Sequence, residues 1–522
     1  MGEEKVIKAY KGFESDMTCR DFQYKEGGEY ETDDARVQKV GFHACRYPLD
    51  CFSHYMPTAI FRRVEQSGKI SDNGEYDSTA ASTKIRIGER VTIAEMIADA
   101  VNIIKKGVKL RNHSHEDNGI ASINEEHGGA ATEGERSAAI TTGYYSMPIV
   151  ESGFSVSAAT GEHCASSAEG YRSVSVATGD YSASRSMCGY SASVAVGNRS
   201  ASLSTGTNSA SVVTGLYSAS VVDGSECVSV AAGRGSASSA KGTNSVSVVA
   251  SFDSVSSSEG AGGAAIATGY ECKSNATGKG CVSVTTNHNC QTVVNGEKSV
   301  SVSTGKFCSL LASGESCASV STDEHASSFS DGAYSISAST GKESSPAVRG
   351  NMAIAASTGS YGTAKANKFA DTQKEPSDSC ASIATGVYGK SYSNGKNSVA
   401  ATTNEHGRSE ADGRNNISAA TGDFSIAGVA ECRSAAVVTG RHCIARVYDS
   451  GSVAVAWGRD TFAVGVIGST LVLSEWNGFS VPKCVKTVKV DGKEIKPDVA
   501  YGLCDGSIFE ATETELDLIY RK

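Results

Sequence analysis

The chain has 522 residues, 20% of them charged and only 7% aromatic, with 56 glycines and a formal net charge of −10 at pH 7. So few large side chains cannot build several ordinary globular cores, and a modest acidic excess with both signs interspersed gives no footprint for nucleic acid. No stretch approaches the ~20 apolar residues of a membrane span, and Met1-Gly-Glu-Glu-Lys-Val-Ile-Lys-Ala-Tyr10 has no apolar segment of a signal peptide. The expectation is a protein without membrane segment or cleaved signal, cytoplasmic or virion-associated.

Residues 1–106 hold much of the aromatic content, including Phe13, Phe22, Tyr24, Phe42 and Tyr55. Near their end Thr92-Ile-Ala-Glu95 has the form of a capping box, and Ile93, Met96, Ile97, Val101 and Ile104 make one apolar stripe. This predicts a helix to about Lys106, closing a small α+β domain. His113-Ser-His115 and His127 follow with no carboxylate in a ligand pattern. They are expected to be solvated loop histidines, with no metal and no cofactor.

From about Gly107 degenerate coils begin, and between Gly134 and Gly458 glycine fills 27 of the 37 positions spaced nine apart. Each nonapeptide reads roughly Gly-x-x-Ser-Ala-Ser-Val-Ala-Thr, the fixed period of a solenoid. Counted from the glycine, positions four, six and eight are small, while five and seven also accept charge, which is the period-two alternation of a strand. Glycine and the next two residues then form a corner. Nine of the 16 cysteines (Cys164, Cys227, Cys272, Cys281, Cys290, Cys308, Cys317, Cys380, Cys443) take the fourth position, where serine is usual, so they are read as small core fillers in preference to disulfides.

The ninth position doubles the period. Thr268, Thr286, Thr304, Thr322, Thr340 and Thr358 are spaced by eighteen, and the register resumes at Thr385, Thr403, Thr421 and Thr439 after a step of 27. The fold expected is therefore an all-β two-sheet parallel β-solenoid with 18-residue coils of two nonapeptides each, a rod of roughly 90 Å at ~4.8 Å per coil. The extra nonapeptide, Lys368–Pro376, is read as a looped-out insertion. The Gly-Gly-x-Gly-x-Asp turns of calcium-binding rolls are absent, so calcium is excluded.

One of the two sheets carries no Asp, Glu, Lys or Arg at positions four to nine of any of its nonapeptides, whereas the other carries Arg185, Lys241, Lys273, Arg408 and Glu410, among others. Its outward set is either Val, Ile and Ala with Thr, or Ser, Ala and Cys; the alternation alone leaves both open. The candidate binding face comprises Thr268, Thr286, Thr304, Thr322, Thr340, Thr358, Thr385, Thr403, Thr421 and Thr439 with Val300, Val302, Ile336 and Ile354. Long uncharged sheet surfaces mark contact sites. The partners considered are a second copy packed face to face (a homo-oligomer), a loop or terminal domain folded over the face, and an ordered flat target such as a glycan or ice.

The repeat gives way to a C-terminal β cap over 467–522. Strand-like runs are Thr470–Trp476, Val485–Val490, Ala500–Leu503, Ser507–Phe509 and Leu516–Tyr520, with Asp491-Gly492 as the expected hairpin turn. The domain division expected is thus 1–106, 107–466 and 467–522.

In the N-terminal segment, Lys8-Ala-Tyr-Lys-Gly-Phe13, Cys19-Arg-Asp-Phe-Gln-Tyr24, Gly41-Phe-His-Ala-Cys45 with Pro48-Leu-Asp50, and Val64-Glu-Gln-Ser-Gly68 resemble an uncharacterised N-terminal domain. That domain occurs in proteins of gut Firmicutes and their phages, often ahead of Gly/Ser/Ala/Thr-rich repeats. The resemblance covers about 105 residues and implies a bacterial or phage setting but no activity. Tyr10-Lys-Gly12, Gly41-Phe-His43 with Tyr55, and Glu65 also resemble the strand order of ADP-ribosyltransferases, which makes His43, Tyr55 and Glu65 the catalytic candidates of an enzyme alternative. The leading reading is a non-catalytic structural or binding solenoid.

Overall fold

The structure, a computed structural model, describes residues 5–72, 78–366, 379–478 and 481–520. It divides into two compact units, Met1–Thr277 and Gly278–Lys522. Both contain coils of a parallel β-solenoid in which two sheets face each other, and every other strand joins the same sheet. We call the sheet without charge sheet A and the opposite one sheet B.

The first unit opens with antiparallel strands Ile7–Phe13, Phe42–Cys45, Ile60–Asp72 and Thr79–Val91. Each pairs with two of the others, so they close into a ring, and the short strand Glu29–Glu31 adds to Thr79–Val91. The helix Ile93–Gly107 starts at the predicted capping box, with Thr92 and Glu95 bonding each other's backbone N–H. Its buried face, Met96, Ile97, Ala100, Val101 and Ile104, joins Leu49, Cys51 and Phe52 in one core with Met147, Ile149, Ala183, Leu203 and Val221 of sheet B. The helix therefore lies on the outer face of sheet B.

Consecutive strands of one sheet sit eighteen residues apart in register, as in Val156↔Val174 and Val174↔Ala192 in sheet A and Ala183↔Ala201 in sheet B. The third residue of each corner holds left-handed backbone whatever its side chain: Tyr145 (φ 53°), Arg172 (φ 57°), Phe154 (φ 58°). Glycine opens the corner because successive coils touch there. At Gly179 (φ +131°) a Cβ would lie 2.1 Å from the carbonyl oxygen of Gly161, closer than any side chain tolerates.

Position six points inward and is serine through most of the first unit. From Ser157 to Ser256, at every ninth residue, each hydroxyl bonds the preceding serine across the core at 2.8–3.0 Å. A core so thin admits only small side chains, and the ladder satisfies the hydroxyls it buries. The cysteines fill the same kind of position: all are free thiols, and those at the fourth position are buried. Cys227 takes a serine's place with Sγ 2.9 Å from the Gly206 carbonyl.

In the second unit the register also advances by eighteen, as in Val282↔Val300 and Val300↔Ala318. The step from Ile354 to Ala381 is 27, and so is that from Thr363 to Lys390. The nine additional residues therefore fall between Ala366 and Ser379; the expected insertion Lys368–Pro376 lies outside the described residues.

The end of this unit is an antiparallel cap that differs in detail from the sequence expectation. Thr470–Asn477 pairs with Val481–Lys489, so this hairpin closes before Asp491-Gly492, which is not its turn. Asp491 instead caps a loop, accepting from the backbone of Lys493 and Ile495. The Asp-Gly that does turn a hairpin is Asp505-Gly506 (φ 46° and 69°), between Tyr501–Cys504 and Ser507–Glu510. Two positive φ values are what a two-residue turn of that type needs. Leu516–Tyr520, expected as a strand, belongs to the helix Glu513–Tyr520, whose Thr512 and Glu515 bond each other as a capping pair.

Candidate functional site

Sheet A exposes the aliphatic set. Ser301 is fully buried while Val300 and Val302 are partly exposed, and Ile336 (45%) and Ile354 (40%) stand well out. The whole threonine set, Thr268 in the first unit and the other nine in the second, sits at the outer end of these strands, exposed or half-exposed. In every sheet A strand between Ala138 and Ala456, positions five and seven are Val, Ile or Ala. The surface is therefore apolar across each strand, with a threonine column along one margin.

Sheet B treats the same positions differently. In the coils under the helix the outward Ala183 and Leu203 are covered, Leu203 to 4% exposed, while Arg185 stands partly exposed beside Ala183. Beyond the helix charge appears, with Lys241 beside Glu259 in the first unit and an Asp331–Arg349 ion pair in the second.

The cover is latched at its rim. His163, at a solenoid corner, lies with Nε2 2.9 Å from Oδ1 of Asp50, both side chains almost fully buried. Its ring stacks between Tyr145 and Tyr181, at 5.1 and 4.8 Å between centroids. Tyr47 and Ser53 bond Tyr181 through its carbonyl and its hydroxyl respectively.

The N-terminal domain contains a cavity of about 990 Å³ lined by His43 and Tyr55 together with Tyr10, Lys11, Cys19 and Tyr24. Glu65 is not among its walls. It lines a different cavity of about 460 Å³, near Lys84 and Arg86, with Arg86 3.7 Å away. The structure thus brings two of the three catalytic candidates to one cavity and leaves the carboxylate elsewhere. Burial and the nearby Lys11 and Arg20 charges hold the His43 imidazole below the usual histidine range. Burial raises the Tyr24 phenol to about 12. Burial and a 2.9 Å contact with the Cys19 thiol raise that of Tyr55 further.

A third feature was not anticipated. His113 and His115 point to the same side of the first sheet B strand, Lys109–Ser114 with the residue after it, and Glu133 of the next coil meets both, at 3.1 and 2.8 Å. Their ligand atoms lie within 4.8 Å of one another, so these three exposed residues could hold a divalent cation. The carboxylate the sequence reading lacked is eighteen residues beyond His115, one coil later. His127 stacks on Tyr145 at a corner.

A two-sheet parallel β-solenoid whose N-terminal domain covers its first coils is the class that this fold defines. Residues 7–99 match the family model described as "Domain of unknown function (DUF7666)", and every residue lining the 990 Å³ cavity lies in that stretch. No curated protein and no solved structure matches the chain.

Proposed function

We propose that the protein is a non-catalytic structural scaffold that associates with a second copy of itself through sheet A. The observation that carries this reading is the uncharged aliphatic face itself. In the second unit its ten described strands, each about five residues wide, cover roughly 800 Å² at standard strand spacing and rise. That exceeds the apolar patch an ordinary monomer leaves open, and it equals about one partner's share of a stable interface.

Sheet B supports the choice of partner. There the chain covers outward Ala, Leu and Val with its own N-terminal helix, so that domain is not available to sheet A in the first unit. A second copy offers a surface of the same chemistry and the same strand spacing, and two such faces pack as in a β-sandwich. The bacterial or phage setting, with a cytoplasmic or virion location, belongs to the same proposal and is supported by the N-terminal resemblance.

The test is sedimentation equilibrium of the full chain from 1 to 100 μM. A dimer or higher oligomer is expected. Val284→Lys with Val302→Lys, both outward, is expected to give a monomer with an unchanged circular dichroism spectrum. A wild-type protein monomeric throughout, or association indifferent to both lysines, refutes the reading.

A further inference from the structure

The N-terminal cavity has the chemistry of a ligand site at one particular point. Lys11 lies in the middle of the strand Ile7–Phe13 and is only 4% exposed, yet it lines the cavity. Its Nζ donates one hydrogen bond, 3.0 Å to the backbone carbonyl of His43. The rings of Phe13 and Tyr24 lie 5.7 and 5.5 Å from it. No carboxylate among the described residues pairs with it, so two of its three N–H donors have no protein acceptor.

A buried ammonium is costly unless paired and hydrogen-bonded, and ring faces compensate for only part of that cost. Close by, His43 Nε2 is buried and has no hydrogen-bond partner. A partly satisfied ammonium and an unpartnered ring nitrogen thus border one cavity of about 990 Å³, a size suited to a small molecule. Other walls are aromatic: the rings of Phe22, Tyr24 and Phe42 pack on one another at interplanar angles of 60–75°. The carboxylates of the rim, Glu14 and Asp21, are exposed and bonded to neither group.

We infer that this cavity binds a small anion with a flat unsaturated body, its carboxylate or phosphate oxygen taking the free donors of Lys11 and its body lying against Phe22, Tyr24 and Phe42. A charge-assisted hydrogen bond to a desolvated ammonium is strong and directional, and offset contact with aromatic walls selects a planar partner. Lys11, Phe22 and Phe42 all lie in the region matched by the family of unknown function. The site is independent of sheet A, so either proposal stands if the other fails.

The experiment is calorimetric titration of the full chain with three probes of one ring size: benzoate, phenyl phosphate and benzyl alcohol. Saturable binding of one or both anions is expected, with at least tenfold weaker binding of the neutral alcohol, and the better anion distinguishes carboxylate from phosphate. Lys11→Met should cost at least tenfold in affinity for the anion. Because that side chain is buried, Phe22→Ala, on the exposed rim, serves as a second variant and should weaken binding severalfold while leaving thermal unfolding unchanged. No saturable binding of either anion at 10 mM, equal binding of benzyl alcohol, or affinity unchanged in both variants overturns the assignment.

Discussion

Sheets A and B are made from one nonapeptide, face each other across one thin core, and differ almost wholly in what stands on their outer sides. Under the N-terminal helix, sheet B has Ala183, Leu203 and Ala219 buried; elsewhere it mixes charge, as in the Asp331–Arg349 pair, with apolar residues such as Leu311 and Phe329. Sheet A presents Val156 (41% exposed), Val228 and Ile336 with no charge on its strands between Ala138 and Ala456 and, among the described residues, no helix over it. In sheet B the apolar outward residues of the first coils lie under the helix, whereas sheet A carries its aliphatic face without such a helix among the described residues. That contrast is the ground on which the proposed self-association is placed on sheet A.

The difference is most severely tested by removing the cover from sheet B. His163→Ala removes a buried hydrogen-bond partner from Asp50 and leaves it the Ser78 N–H alone; the expected loss is about 3 kcal/mol, read by urea unfolding. Protease cleavage after the helix Ile93–Gly107 should increase with it. Gly179→Ala tests the corners common to both sheets: positive φ and a carbonyl at 2.1 Å predict a loss of about 2–3 kcal/mol.

The orientation of the alternation is tested by a pair in one strand of sheet A. Ser211→Val removes an inward hydroxyl that bonds Ser202 and accepts from Ser220. It should cost about 1–3 kcal/mol, because it overpacks the core and leaves a buried partner unpaired. Val212→Thr, one residue away and outward, should stay within about 0.5 kcal/mol.

The smallest effect concerns the exposed cluster at the start of sheet B. Hydrogen bonding and charge from His115, with His113, hold the Glu133 carboxyl below its usual range. A depressed folded-state value means that the contribution is present above the unfolded carboxylate range and is lost as the pH falls through the folded one. Carboxyl NMR titration should show this depression, and His115→Ala should return it toward the ordinary value.

Much of this molecule is legible in one dimension. The eighteen-residue coil, the 27-residue step and the absence of charge on one sheet are all periodic properties, and the helix announces itself through Thr92 and Glu95. The end cap was less legible because its signals are local and duplicated. Two Asp-Gly pairs offer a hairpin turn, and only strand pairing selects Asp505-Gly506 over Asp491-Gly492. The Glu133 contact required pairing across coils, and the separation of Glu65 from His43 and Tyr55 required knowing which way a long strand faces.

What the sequence alone determined is the repeat, its doubled period and where charge is excluded, because glycine at a contacting corner and small residues in a thin core leave a periodic record. What only the tertiary structure decided is which half of each strand faces water. Ser211 and Val212 are each compatible with either side by size. Ser211 goes inside, where the first unit's position-six serines bond one another across nine residues and Val213 fills the inward place beside it, and Val212 is left on the surface.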